Sequence, residues 1–88
     1  MSATNKEKIS SGIYDVNNTL IKEDDVLQKG GDFYCFYVDK YTKEKKVLIS
    51  LEMSGNKRKY KIKNILEVEE ELKSSKVIGD LSDESIIF

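Results

Sequence analysis

The clearest alternation of apolar and polar positions lies at residues 47–53. Val47, Ile49, Leu51 and Met53 share one parity, and Ser50, Glu52 and Ser54 take the other. That period of two predicts a strand with one face on a core. Residues 32–41 are apolar on both parities, with Phe33, Cys35, Tyr37 and Tyr41 against Tyr34, Phe36 and Val38. A strand apolar on both faces is expected in the middle of a sheet. The polar stretch 42–46 predicts the turn between these two strands, and Ser54-Gly55-Asn56 a second, tighter one. Residues 58–62 then read as a third strand with Tyr60 and Ile62 inward. The three form an antiparallel meander.

After the meander the period changes. Asn64 is a candidate helix cap with Glu67 three residues on, an arrangement in which each side chain satisfies a free backbone amide of the other residue's turn. Ile65, Val68 and Leu72 recur at helical spacing, with acidic residues early and Lys73 late, as the helix dipole favours. The spacing predicts a helix over about 65–75, followed by an edge strand at Val77-Ile78. Before the meander, residues 12–16 predict a short first strand, Asn17-Asn18 a turn, and Gly30-Gly31 a turn or bulge. Between them, residues 19–27 fit either strand–loop–strand or a helical turn. The expected core is Phe36, Ile49, Leu51, Ile62 and Leu72.

The fold class is therefore mainly β (α+β): a small antiparallel meander or an SH3-like barrel, with one C-terminal helix. Residues 1–10 are polar and expected to be flexible, 11–78 form one β-rich domain, and 79–88 form an acidic-hydrophobic tail. The layout of Glu23-Asp24-Asp25-Val26, residues 33–39, residues 46–51, the Ser54-Gly55-Asn56 turn and residues 59–66 resembles SH3-like small barrels of the KOW/Tudor kind. The resemblance covers roughly half the chain and is carried by strand spacing and turn positions. Neither an aromatic cage, as in Tudor domains that read methylated residues, nor the central glycine of the KOW motif is identifiable. An open twisted sheet packed on one helix is the other architecture this layout allows.

Composition narrows the class. Hydrophobic residues make up 39% of the 88 residues and charged residues 35%, polar for a globular domain but too rich in aromatic and β-branched residues for a disordered chain. Lys and Ile are abundant and Pro and Trp absent, a bias common in A+T-rich genomes such as those of low-GC bacteria and their phages. The longest apolar run, residues 33–38, is far short of the ~20 residues of a membrane span, and residues 1–8 lack the apolar stretch of a signal peptide. A single cysteine allows no internal disulfide and suggests a reducing, cytoplasmic location.

The net charge of −1 conceals a strong segregation. Residues 32–66 carry nine basic and four acidic side chains; residues 67–88 carry two basic and seven acidic. The acidic end is expected either to lie on the basic middle or to leave it open to a partner.

The chemistry this sequence excludes is informative. There is no histidine, which removes the commonest general base and transition-metal ligand. Cys35 sits in an apolar strand, where burial disfavours the thiolate. The acidic clusters Asp24-Asp25, Glu69-Glu70-Glu71 and Asp80, Asp83, Glu84 read as solvated faces. No P-loop, dinucleotide fingerprint, paired-cysteine motif or EF-hand loop occurs. The expectation is a non-enzymatic protein-interaction module, a regulator or inhibitor of a larger protein or assembly, with no cofactor, metal, membrane or small-molecule substrate. Two surfaces are candidates. Asp83, Glu84, Ile86, Ile87 and Phe88 form an acidic-then-apolar segment suited to docking in a groove, or to packing in the domain's own core. Lys57, Lys59, Lys61 and Lys63 share one parity of the third strand and, with Arg58, supply the alternative, a nucleic-acid-binding stripe. Tyr34, Tyr37 and Tyr41 are the candidate stacking side chains for that alternative.

Overall fold

A computed structural model describes residues 8–82. Seven strands and one short helix follow in chain order: β1 (Ser10–Tyr14), β2 (Leu20–Lys22), β3 (Asp25–Lys29), β4 (Asp32–Val38), β5 (Lys45–Met53), β6 (Lys57–Asn64), α1 (Glu69–Lys73) and β7 (Lys76–Asp80). The fold is mainly β, with the short helix C-terminal to the meander. β1 and β2 form a two-stranded sheet; the other five form an antiparallel sheet in the order β6-β5-β4-β3-β7. β4 is the middle strand, as its two apolar faces require.

Local chemistry shapes the turns. Residues 19–27 resolve as strand–turn–strand: β2 and β3 are joined at Glu23-Asp24, where Asp24 adopts a φ of 69° and the Asp25 carboxylate accepts the Lys22 N–H at 2.8 Å. Gly30, at φ 61°, opens the two-residue link between β3 and β4, a conformation that costs a side-chain-bearing residue steric strain. β4 ends at Val38, three residues before its expected limit, because the Asp39 carboxylate accepts the backbone N–H groups of Tyr41 and Thr42 and bends the chain away. Ser54–Asn56 forms a 3-10 turn with Gly55 at φ 76°, and it sets the β5–β6 register.

The predicted helix divides in two. Ile65–Val68 is a 3-10 turn and α1 begins only at Glu69. The cap at Asn64 is the expected one: its Oδ1 accepts the Leu66 N–H and its own N–H donates to Glu67 Oε2, both at 3.1 Å. At the other end, Ser75 Oγ donates to the Glu71 carbonyl at 2.6 Å, satisfying a group the helix leaves open. β7 runs two residues past the point where the tail was expected to begin.

One core lies on a single face of the large sheet. Leu27, Tyr34, Phe36, Val47 and Ile49 from the sheet meet Ile13 and Ile21 of the β1–β2 hairpin and Ile65, Val68 and Leu72 of the helical segment. Phe36, Leu27, Leu72 and Ile21 are fully buried; each such side chain contributes about 1.5–3 kcal/mol. Leu51 packs against this cluster from its margin. Asp15 ties the hairpin to the sheet. Its carboxylate accepts N–H groups from Asn17 (2.9 Å), Thr19 (2.7 Å) and Val77 (2.8 Å). Burial acts to raise its pKa, but the three donors outweigh burial and hold it below the ordinary value.

Two inward assignments are corrected. Ile62, expected in the core, is 59% exposed, and Tyr60 is 53% exposed. The reason is register: Tyr60 lies opposite Ser50 and Ile62 opposite Leu48, so both stand on the sheet face away from the core. Met53 is also largely exposed, being at the hairpin end of β5. No helix of the described residues is long and apolar enough to cross a membrane.

Candidate binding surface

The corrected register relocates the lysines. Lys63, Lys61, Lys59 and Lys57 stand opposite Val47, Ile49, Leu51 and Met53 respectively. The row is therefore on the core-bearing side of the sheet, not on the outer face. Among the described residues β6 pairs with β5 alone, at one edge of the sheet. All four lysines are exposed, and Lys61 and Lys63 border Ile49 and Leu51 at the margin of the core. Along a strand such side chains recur every ~7 Å. No salt bridge among the described residues involves any of them; those present join Lys8 to Asp80 and Lys73 to Glu69 and Glu70. The acidic helix thus pairs with its own lysine rather than with the basic strand.

At one end the row borders a shallow cavity of about 190 Å³, walled by Lys61 and Lys63 on one side and by Glu67 and Glu71 on the other, with Tyr34, Ile49, Leu51 and Val68 beneath. At the hairpin end, Lys57 and Lys59 are outside this cavity. The row is therefore uneven: among the described residues Glu67 and Glu71 share this cavity with Lys61 and Lys63 and not with Lys57 and Lys59.

Arg58 does not belong to the row. It lies on the opposite face, where its Nε donates to Ser50 Oγ at 2.5 Å and its Nη2 to the carbonyls of Gly31 at 2.7 Å and Ser50 at 3.0 Å. Its guanidinium sits 5.0 Å from the centre of the Phe33 ring. These contacts stitch β6 and β5 to the β3–β4 turn and commit the guanidinium to structure. Sequence reasoning grouped Arg58 with the lysines by proximity; parity alone separates them.

The three tyrosines do not form a stacking platform beside the lysines. Tyr34 is buried, and burial together with Asp32 and Glu71 raises the pKa of its hydroxyl. Tyr41 is 93% exposed but lies in the β4–β5 loop. With Tyr37 it lines a second, open cavity of about 350 Å³ that also includes Glu23, Asp24 and Asp39. Asp39 already serves the turn through the two N–H groups it accepts, which hold its pKa low.

Cys35 is buried and free, on the sheet face away from the core cluster. Burial, with Asp24 and Asp25 adding to it, pushes its thiol up to about 12, so the thiolate is scarce at neutral pH. Among the described residues no group of three or more Cys, Asp or Glu side chains is placed to hold a metal ion. The candidates Asp83, Glu84, Ile86, Ile87 and Phe88 lie outside the described residues. No family model, curated protein or solved structure matches the chain.

Proposed function

We propose that this chain is a small non-enzymatic interaction module that binds a larger protein along the β6 edge. The observation that carries this reading is the row of four exposed lysines, without salt bridges among the described residues, on an outermost strand. Holding four like charges in line is unfavourable, and a partner that supplies carboxylates relieves it. An outermost strand also offers backbone N–H and C=O groups in a row, the basis of recognition by strand addition.

Four features favour protein over nucleic acid. Arg58 is turned to the other face and held by Ser50 and Gly31. Tyr34, the aromatic that shares the cavity with Lys61 and Lys63 on the lysine face, is buried and does not offer its ring to a base. Glu67 and Glu71 stand across the cavity from Lys61 and Lys63 and repel a continuous polyanion. The net charge of −1 adds no long-range attraction to one.

The test is affinity capture with the full chain from nuclease-treated lysate, comparing wild type with a variant in which Lys57, Lys59, Lys61 and Lys63 are all changed to Gln. A protein retained in stoichiometric amount by wild type and lost with the variant is the expected result. Retention of nucleic acid alone in untreated lysate, or a partner indifferent to the four substitutions, overturns the reading.

A further inference from the structure

Resting on that reading, we infer the pattern of the segment β6 receives: an extended stretch with carboxylates at alternate positions, small apolar or β-branched side chains between them, and its densest acid opposite Lys57 and Lys59. The lysines occupy every second position of β6 over seven residues. A strand added to that edge, ~4.8 Å away, presents its own side chains to the same face with the same two-residue period. Acidic residues at every second position of the guest then each meet one ammonium group, as directly opposed cross-strand partners do. Consecutive acidic residues waste half their charge on the other face. That face of β6 carries Ile62, 59% exposed, with Leu48 behind it on β5, and its one cation is the tethered Arg58. It accordingly suits the uncharged residues of the guest.

Two alternatives fail on the same geometry. A second copy of this chain pairing β6 to β6 sets one lysine row against another, which is repulsive. A guest in which every residue is acidic adds carboxylates that meet Glu67 and Glu71 near Lys61 and Lys63 without gaining further lysines. Glu67 and Glu71 also set the polarity of the pattern, because they share the cavity of Lys61 and Lys63 and not the end of the row where Lys57 and Lys59 stand.

The full chain, isotope-labelled, is titrated with two soluble eight-residue peptides of identical composition and followed by amide chemical shifts. In one, Glu occupies every second position with Val and Thr between. In the other, the four Glu are contiguous. The expected result is binding of the alternating peptide with shifts centred on the β6 amides, and affinity at least roughly tenfold weaker for the contiguous one. Lys57→Gln with Lys59→Gln weakens the alternating peptide by roughly fivefold or more, in line with two exposed ion pairs. Lys61→Gln with Lys63→Gln costs less, and Lys59→Arg keeps the affinity. Equal binding of the two peptides, shifts away from β6, or the reverse order of the lysine pairs overturns the pattern. If neither peptide binds while captured partner still depends on the lysines, the alternating pattern is wrong and the protein-binding reading survives. If a single-stranded oligonucleotide shifts the same amides and neither peptide does, the protein-binding reading itself falls.

Discussion

Replacing Ile49 and Ile62 separately with Thr tests the register that places the lysine row. Thr keeps the β-branch, so strand propensity is nearly constant and the comparison reports on environment. Ile49 is 5% exposed within the core cluster. There the change removes about one methyl group, worth ~0.8 kcal/mol, and buries a hydroxyl with no built-in partner, at ~1–3 kcal/mol. The expected loss is about 2–4 kcal/mol. Ile62 keeps 59% of its surface in water, and its hydroxyl replacement is solvated. Its loss is expected to stay below about 1 kcal/mol. In a domain of this size the first change lowers Tm by roughly 10–30 °C and the second by only a few degrees. Urea unfolding followed by far-ultraviolet circular dichroism, with unchanged m-values, measures the difference. Equal losses at the two positions put Ile62 in the core, turn the lysines outward and refute the register.

Asp15→Asn loses a charge-assisted acceptor for the Val77, Thr19 or Asn17 N–H and costs roughly 1–3 kcal/mol in chemical denaturation at neutral pH. The folded-state pKa of Asp15 is lowered, so its contribution is present above the ordinary value of 3.8 and is lost as pH falls through the lower folded value. The stability difference between wild type and the Asp15→Asn variant therefore shrinks below that pH; Asp25, raised mainly by burial, works the other way but is common to both proteins. A difference that is flat with pH refutes this role. Asn64→Ala removes the Leu66 N–H acceptor and destabilises by about 1 kcal/mol, measured as a lower urea midpoint. Cys35 reacts with a thiol-specific reagent only at the rate of unfolding, whereas fast modification of native protein at neutral pH contradicts its burial and raised pKa.

Local patterns carried much of this structure. The two-sided apolarity of residues 33–38 announced the central strand, the clean alternation of 47–51 its neighbour, and Asn64 with Glu67 the start of the helical segment. These signals are local because the forces behind them act over a few residues: pleat alternation, turn sterics and capping. The arrangement of 19–27 was open in the sequence because a three-residue strand and a two-residue turn carry almost no periodicity.

Ile62 and Tyr60 show where local pattern stops being sufficient. An apolar–basic alternation has two possible orientations, and hydrophobicity alone favours apolar side chains inward. The turn at Ser54–Asn56 and the pairing of Ser50 with Tyr60 decide it the other way. The lysine row itself was readable, since side chains two apart share a face in any strand. Its position beside the core, the removal of Arg58 from it, and the carboxylates of Glu67 and Glu71 across the cavity were not. Those depend on which strand lies at the edge and on where a helix distant in sequence comes to rest. Periodicity therefore determined the strands and which side chains travel together; only tertiary pairing decided which way each face looks, because a one-residue change of parity exchanges the two faces without altering a single local preference.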